Sequence, residues 1–218
     1  FQQRFSAEPV GTEHVSLSEA YKRILTKDIA AQIDVPPFNR ATVDGYAVKA
    51  EDTFGADETN PISLTICGHI NVGESPNIIV ENGSAAEIAT GAPIPKGADA
   101  VVMFEHTIQK ETAIVLYRPV SKGENVMNAG SDIRKGEVIL KKGQKLSSWE
   151  IGVLAALGLA KVEVYKRPKV AIISTGPEIV EPGKPLRSGK IYDINAHTLS
   201  AAVLECGGQP LNLGIVPD

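Results

Sequence analysis

Residues 166–174 have the sequence KRPKVAIIS, and within this stretch the chain changes from one kind of fold to another. The segment Lys166–Pro168 is polar and ends in proline, a composition typical of a hinge. The apolar run that follows predicts a strand over Lys169–Ser174, because strands of a parallel sheet buried on both faces carry such continuous runs. The sequence therefore predicts that a new domain begins at residue 168.

Downstream of this strand the pattern predicts one strand–loop–helix–strand unit. A loop rich in Pro and Gly leads to a helix predicted over Ala196–Cys206, with Asn195 as its N-cap and Gly207-Gly208 as its stop. The next strand is predicted over Leu211–Val216. Two strands are few for a sheet of this class, so we expect the α/β domain to be truncated at Asp218.

Upstream of the hinge, residues 42–140 are predicted to be rich in β-structure. Runs with branched side chains predict strands, and glycines recur between them at the spacing of turns. The predicted strands are Ser63–Cys67, Ala100–Phe104 and Ala113–Tyr117. The predicted turn glycines are Gly73, Gly83, Gly91, Gly97, Gly123, Gly130, Gly136 and Gly143.

Helices are predicted on either side of the β-rich region. Ser16 and Glu19 fit a capping box, and apolar residues follow at helical spacing. These apolar residues are Leu17, Ala20, Tyr21, Ile24 and Leu25. Ser147 and Glu150 fit a second capping box, for a helix that Gly158 would end, and a short strand is predicted over Val162–Tyr165. Before residue 42, Ile33–Pro37 is predicted to be extended because consecutive prolines exclude helix.

The composition argues against several classes of protein. The 218 residues include 22 basic and 26 acidic ones, and the formal charge of −4 gives no electrostatic reason to bind nucleic acid or an anionic membrane. No apolar run is long enough for a membrane span. Cys67 and Cys206 lack CxxC spacing and are predicted to be buried free thiols in a reducing cytoplasm. The four histidines have no spacing that supports a zinc site.

Three segments of the β-rich region combine an acid or a hydroxyl with Gly and Pro. Residues 36–48 contain Asp44-Gly45, which is either a tight turn or part of a site. Residues 88–102 contain Thr90-Gly91, where a hydroxyl and a backbone N–H could hold an oxyanion, or where prolines brace a rigid loop. Residues 128–137 contain Asp132 and Arg134, which could form a plain surface salt bridge.

Two further segments lie in the α/β part. Thr175-Gly176 and Glu178 follow the carboxyl end of the predicted strand Lys169–Ser174, which is where ligands bind in open α/β sheets. Asp193 and Asn195 lie at the start of the predicted helix. They would either cap this helix or orient an anionic ligand at its positive end.

In this order and spacing, the five segments resemble the MoeA family, which includes the E domain of gephyrin. The matching motifs are Pro-Pro-Phe followed by Asp-Gly-Tyr-Ala, and Thr-Gly-Ala-Pro-Ile-Pro followed by Gly-Ala-Asp-Ala-Val-Val. Gly-x-Asp-Ile-Arg, Ser-Thr-Gly-x-Glu at a strand end and Asp-x-Asn before a helix complete the set. The resemblance covers essentially the whole chain, and the ordered set is far more specific than any single motif.

The resemblance implies a mixed α/β and β, multi-domain fold. Residues 1–29 and 138–167 would form an elongated linker and dimerisation domain, and residues 30–137 a β-rich lobe. Residues 168–218 would begin a three-layer, MogA-like α/β domain that binds molybdopterin. Family members are homodimers, so residues 42–132 of one subunit would meet residues 169–218 of the other in a shared site.

The resemblance also implies a transferase activity. The reaction would be insertion of molybdate into adenylylated molybdopterin with release of AMP, assisted by Mg²⁺, with molybdopterin adenylyltransferase as the pathway neighbour. The fragment by itself is expected to be inactive because part of the site would lie beyond residue 218. A non-catalytic, gephyrin-like scaffold and a tungstate-inserting paralogue are the alternatives.

Position by position, the resemblance assigns roles to individual residues. The catalytic residues would be Asp44, Thr90, Asp132 and Glu178. The metal contacts would be Asp44, Glu178 and Asp218. The substrate contacts would be Thr90, Gly91, Arg134, Thr175, Gly176, Asp193 and Asn195.

Overall fold

The structure is a computed structural model that describes residues 8–216. The chain divides into two compact units. The β-rich unit is Ala30–Glu137, and the discontinuous unit consists of the segments before Ala30 and after Glu137. Within the described range, neither α-helix has the length and apolar character needed to cross a membrane.

Strands far outnumber helices in residues 8–216. The α-helices are α1 (Ser148–Ala156) and α2 (Ile194–Glu205). The strands are β1 (Thr12–Ser16), β2 (Ile29–Ala30), β3 (Arg40–Ala41), β4 (Gly45–Val48), β5 (Ile62–Ile70), β6 (Ser84–Ile88), β7 (Ala100–Met103), β8 (Thr107–Lys110), β9 (Ala113–Leu116), β10 (Val126–Met127), β11 (Val138–Leu140), β12 (Lys161–Tyr165), β13 (Lys169–Thr175), β14 (Ile179–Val180), β15 (Ile191–Tyr192) and β16 (Gln209–Val216). Single 3₁₀ turns lie at Leu17–Glu19, Ala50–Thr53 and Phe104–His106.

The β-rich unit is built on a six-stranded sheet with the strand order β7-β4-β6-β5-β9-β8. β4 is antiparallel to both β6 and β7, whereas β5 and β6 are parallel. The three strands predicted from the sequence correspond to β5, β7 and β9, and the eight predicted turn glycines all have positive φ. The β-rich character of this region is therefore confirmed.

β4 is buried along its whole length. Successive residues of a strand point to opposite faces of the sheet, so β4 contributes to two separate cores. Tyr46 and Val48 pack in one cluster with Leu64, Ile114 and Leu116, among others. Ala47 packs in the other cluster, whose members include Ile70, Ile88 and Val101. This packing holds β4 in place, and with it the residue that precedes the strand, Asp44.

The prediction of a helix after Ser16 is wrong beyond its first turn. The capping box of Ser16 and Glu19 is present, but it begins only the 3₁₀ turn Leu17–Glu19. Lys22 then has a φ of +60°, which an α-helix does not allow, and Leu25 forms a β-bridge with Val164 of β12. Leu25 is fully buried in this bridged position, whereas Tyr21, another of the apolar residues at helical spacing, is 52% exposed.

The second predicted helix is confirmed as α1. The Ser147 hydroxyl accepts the Trp149 N–H, and the Glu150 carboxylate accepts the Ser147 N–H at 2.8 Å and the Ser147 hydroxyl. Gly158 follows the helix with a φ of +74°. The strand predicted over Val162–Tyr165 is β12, which pairs antiparallel with β1.

Glu150→Gln is expected to lower the midpoint of thermal unfolding at pH 7 by about 2–5 °C. The Ser147 hydroxyl, followed by the Ser147 N–H, lowers the pKa of Glu150 from 4.5 to about 2. A carboxyl group with a lowered folded-state pKa stabilises the fold above its unfolded pKa and loses that effect as the pH falls towards the folded value. Urea unfolding between pH 7 and pH 3 should therefore show the gap between variant and wild type closing below about pH 4.5.

The control for this prediction is Glu58→Gln. The Glu58 carboxylate is exposed and makes no hydrogen bond or ion pair with any described residue. This variant should follow the wild type at every pH. A gap for Glu150→Gln that stays constant down to pH 3 would contradict the account.

The α/β part forms the predicted strand–helix–strand unit, with β13 and β16 parallel and α2 between them in sequence. Two details are wrong. The helix begins at Ile194 and is capped by Asp193, two residues before the predicted cap Asn195. β13 is also not buried on both faces, since Ile172 is 5% exposed but Ile173 is 52% exposed. The exposed side chains of Leu211 and Leu213 on β16 show that no described residue covers that face.

The two cysteines are free, as predicted, but the prediction that they are buried is wrong. Cys67 lies in β5 between Ile66 and Gly68, where the pairing with β6 shifts register, and its side chain is exposed. Cys206 is the exposed C-cap of α2. A cysteine side chain is small and tolerates both buried and exposed positions, so its place on the strand or helix decides its exposure.

Candidate functional site

Asp44 and Thr90 join the first two sequence segments in the β-rich unit. Asp44 directly precedes β4 and Thr90 follows β6 by two residues. Because Gly45 pairs with Ile88 in the antiparallel ladder, both residues lie at the same end of these strands. The Thr90 N–H donates to Asp44 Oδ1 at 2.7 Å, and the Thr90 hydroxyl donates to the same oxygen at 2.8 Å.

These two hydrogen bonds favour the charged form of Asp44. The Thr90 N–H and then the Thr90 hydroxyl lower the pKa of the Asp44 carboxyl below its ordinary value of 3.8. The residue is exposed, and its Oδ2 makes no hydrogen bond with any described residue. The site therefore presents an ionised carboxylate with one oxygen fixed and the other open to a ligand.

The loop Thr90–Ile94 lies against the segment Asn39–Ala41. Gly91, with a φ of +86°, donates its N–H to Ala41 O at 2.8 Å, and Ile94 donates to Asn39 O at 2.9 Å. Ala92 donates to Ala89 O at 3.0 Å, and Pro93 has no N–H. The accessible N–H that the sequence suggested for an oxyanion is thus engaged within the protein, and Thr90 orients Asp44 through both of its donors.

The third segment joins the first through the antiparallel pair β3–β10, in which Met127 lies opposite Arg40. The Asn39 side chain adds a further contact, since its Oδ1 accepts the Ala129 N–H at 2.8 Å. Asp132 donates its N–H to Val35 O at 3.0 Å. The fold therefore brings the three motif segments together in one part of the β-rich unit.

Asp132 and Arg134 are both exposed, and they do not form the surface salt bridge that was the simpler interpretation. The Asp132 carboxylate contacts the Ser131 hydroxyl at 3.5 Å, which is a weak hydrogen bond at best. The Arg134 guanidinium makes no hydrogen bond with another described residue. Both side chains are therefore open to solvent beside the third segment.

The predicted site residues of the α/β part lie in the discontinuous unit. Thr175 ends β13, and Glu178 follows two residues after the buried Gly176. A Cβ at Gly176 would lie 2.7 Å from Glu178 Oε2, so the exposed Glu178 carboxylate is folded close over this glycine. A cleft of about 400 Å³ opens near the start of α2, and its lining includes Asp193, His197, Asn212 and Gly214.

Asp193 is buried and engaged at both carboxylate oxygens. The Ser174 hydroxyl donates to Oδ2 at 2.6 Å and the Ala196 N–H donates to Oδ1 at 3.0 Å. The Ser174 hydroxyl is the main cause that lowers the pKa of Asp193, followed by the Ala196 N–H. Asp193 thus ties the end of β13 to the N-terminus of α2, which is the capping role, whereas Asn195 is exposed.

The three predicted metal contacts belong to different parts of the chain. Asp44 belongs to the β-rich unit, Glu178 to the discontinuous unit, and Asp218 lies outside the described residues. Among residues 8–216, no group of three or more His, Cys, Asp or Glu side chains could hold a metal ion.

Comparison with known proteins decides the family. A family model described as the MoeA N-terminal region (domain I and II) matches residues 2–158. The chain belongs to the MoeA family. The match includes Asp44, Thr90 and Asp132, whereas Glu178 and Asp193 lie beyond it.

Curated relatives and solved structures agree with this assignment. Proteins named molybdopterin molybdenumtransferase from Staphylococcus aureus (strain Mu50 / ATCC 700699) and Staphylococcus epidermidis (strain ATCC 12228 / FDA PCI 1200) are 40% and 39% identical over 92% and 90% of this chain. The chain spans about half the length of these relatives, 47% in both cases. A crystal structure of the molybdopterin biosynthesis MoeA protein from Pyrococcus horikoshii matches 99% of the chain at 46% identity with a TM-score of 0.90, and the chain covers 55% of that protein.

No role was predicted for Asn39 or Arg40 from the sequence, although both lie in the first segment of the MoeA resemblance. A signal for Asn39 was available, because short polar side chains in loops often accept backbone N–H groups. Arg40 gave no such signal. Its position beside Met127 depends on the pairing of β3 with β10, which joins residues 87 positions apart.

Proposed function

We propose that this chain takes part in molybdenum cofactor biosynthesis as part of an enzyme that transfers molybdenum to molybdopterin. Support comes from membership of the MoeA family and from relatives named molybdopterin molybdenumtransferase. The observation that carries the proposal is the Asp44–Thr90 pair, which fixes an ionised, exposed carboxylate within the matched region. Such a group suits a reaction whose partners are an oxyanion and a phosphorylated pterin, because it can hold the cation that accompanies them.

The substrate in this proposal is adenylylated molybdopterin, and insertion of molybdate releases AMP. Thr90 acts as a positioning residue that holds Asp44 Oδ1, so that Oδ2 faces the ligand. Asp132 and Arg134 border the same segments with exposed charged side chains. Gly91 permits the turn of the loop through its positive φ.

Mg²⁺ is the proposed cofactor. It is commonly bound by one or two carboxylates with the remaining oxygens supplied by substrate phosphates and water, so a single open carboxylate such as Asp44 fits it. Glu178 and Asp218 are the other proposed contacts. When bound, the ion would neutralise charge on the phosphate oxygens of the substrate.

The α/β part is proposed to begin a MogA-like domain that binds the pterin. Thr175 and Gly176 would lie near the ligand at the carboxyl end of β13, and Asn195 at the start of α2. Asp193 would have a structural role, because its hydrogen bonds fix the N-terminus of α2. The protein is proposed to be a homodimer with a site shared between subunits, to receive its substrate from molybdopterin adenylyltransferase, and to work in the cytoplasm, where exposed free thiols persist.

The test is an assay of AMP release. The protein at its natural length is supplied with adenylylated molybdopterin, Mg²⁺ and molybdate, and AMP is measured over time. Release that requires molybdate is the expected result. Tungstate in place of molybdate tests a tungstate-inserting paralogue, and no AMP release with either oxyanion would contradict the proposal and favour a non-catalytic scaffold.

A further inference from the structure

The backbone donors of two motif loops, 90–94 and 129–135, are already engaged, and this limits which groups there could hold an oxyanion. Each N–H of the loop Thr90–Ile94 has a partner within the protein. The N–H groups of residues 129–135 also have partners, among them Val35 O and the side chains of Asn39 and Asp34. A donor for an anion from either of these loops would therefore have to be a side chain.

Among the side chains of these segments, Arg40 has hydrogen-bond donors that no strong acceptor uses. Its Nε and Nη2 donate to Met127 Sδ at 3.3 and 3.2 Å. A thioether sulfur is a weak acceptor, so the guanidinium keeps most of its hydrogen-bonding capacity. No described carboxylate lies within ion-pair distance of Arg40, although the residue is half-buried.

The position of Arg40 relates it to all three segments. It lies on β3, opposite Met127 of β10, and it forms a β-bridge with Pro93 of the loop that begins at Thr90. Asp44 follows four residues later in the same segment. Contact with Met127 and the strand pairing hold the side chain, whereas Arg134, the anion contact expected from the resemblance, is exposed and without such support.

We propose that Arg40 is the residue of the β-rich unit that binds the oxyanion of the substrate. The ligand is a tetrahedral oxyanion, supplied either by molybdate or by the phosphoryl group of the adenylylated pterin. A planar guanidinium binds such groups with two parallel hydrogen bonds, and a half-buried cation without a counterion gains most from doing so. This inference rests on the proposed function.

The test compares Arg40→Gln and Arg40→Lys with the wild type at natural length, using AMP release with each substrate varied separately. Arg40→Gln should raise KM for one of the two anionic substrates by about 10- to 100-fold with little change in kcat. Arg40→Lys should give a smaller increase in KM, because lysine keeps the positive charge but cannot form the two parallel hydrogen bonds of a guanidinium. Thermal unfolding midpoints close to that of the wild type establish that the variants are folded.

Arg118→Gln is the matched control. Arg118 is an arginine of the same unit whose guanidinium is already paired with Glu124 at 3.0 Å. Its removal should leave both KM values unchanged.

Each outcome has a defined meaning. A rise in KM for molybdate supports the inference with molybdate as the ligand, and a rise in KM for the adenylylated pterin supports it with the phosphoryl group. Unchanged KM values for both substrates, or a fall in kcat alone, would overturn it.

If the wild type releases no AMP, the proposed function fails separately. Calorimetric titration of wild type and Arg40→Gln with molybdate and with AMP then tests whether Arg40 binds the anion. Weaker binding by the variant then supports the role of Arg40, whereas equal binding, or no binding by the wild type, overturns it.

Discussion

Gly45→Ala is expected to unfold the β-rich unit under conditions in which the wild type remains folded. A Cβ built on Gly45 would lie 2.0 Å from Val102 O, 2.9 Å from Val102 C and 3.1 Å from Met103 Cα. These atoms belong to the backbone of β7, which pairs with β4, so the clash cannot be relieved by a side-chain rotation. β4 also pairs with β6 on its other edge, and moving it would break both ladders. We expect a loss of about 3 kcal/mol or more, a large part of the stability of a typical domain.

The measurement is urea unfolding followed by circular dichroism. Gly123→Ala in the same unit is the control, because its φ is +82° but no atom lies within 4 Å of the added Cβ. That variant should lose only about 1–2 kcal/mol, the cost of a left-handed conformation for an alanine. A midpoint for Gly45→Ala equal to or above that of Gly123→Ala would show that the close approach of β7 has been misjudged.

Asp44→Asn is expected to reduce AMP release by about 100-fold or more without disturbing the fold. The asparagine oxygen can still accept both hydrogen bonds from Thr90, so the end of β6 and the start of β4 stay joined. The variant loses the negative charge and replaces the open Oδ2 with an amide nitrogen, which cannot hold a cation. Because Thr90 lowers the pKa of Asp44 below its ordinary value of 3.8, the carboxylate is charged at neutral pH, and the loss should be present across the neutral range.

The chain offers a close control in Asp57→Asn. Asp57 Oδ1 accepts the N–H and the hydroxyl of Thr59 and the N–H of Asn60, each at 2.7 Å, and these bonds lower its pKa, the Thr59 hydroxyl first and the Asn60 N–H second. Both are exposed aspartates of the same unit that are held by a threonine, but only Asp44 lies in a motif segment. Asp57→Asn should release AMP at the wild-type rate. Equal activity of the two variants would remove Asp44 from the site.

Local interactions explain where the sequence predicted the fold well. The capping box of Ser147 and Glu150 joins residues three apart, and Gly158 ends the helix within the next turn, so α1 was predictable. The turn glycines are equally local, since a positive φ is a property of one residue. The capping box of Ser16 and Glu19 was also correct, but the continuation of a helix was not, because Leu25 is buried through its bridge to Val164.

In the candidate site, too, local patterns were predictable from the sequence and long-range contacts were not. Its motif segments, and among them Asp44, Thr90 and Asp132, were visible in the sequence because their order and spacing match those of the MoeA family. The partner of each residue was not visible. The sequence suggested that the Thr90-Gly91 loop offers free donors to an anion, whereas the register of β4, β6 and β3 directs those donors to Asp44 and Ala41.

By itself, therefore, the sequence determined the family, the β-rich character of the chain, the turns and the segments that carry chemistry. Each of these depends on residue type and on neighbours a few positions away. Only the tertiary structure decided that Thr90 holds Asp44 from 46 positions away, and that Arg40 faces Met127 from 87 positions away with donors still free. Sheet register sets such long-range pairs, since the pairing of β4 with β6 places Thr90 beside Asp44 and the pairing of β3 with β10 places Met127 opposite Arg40.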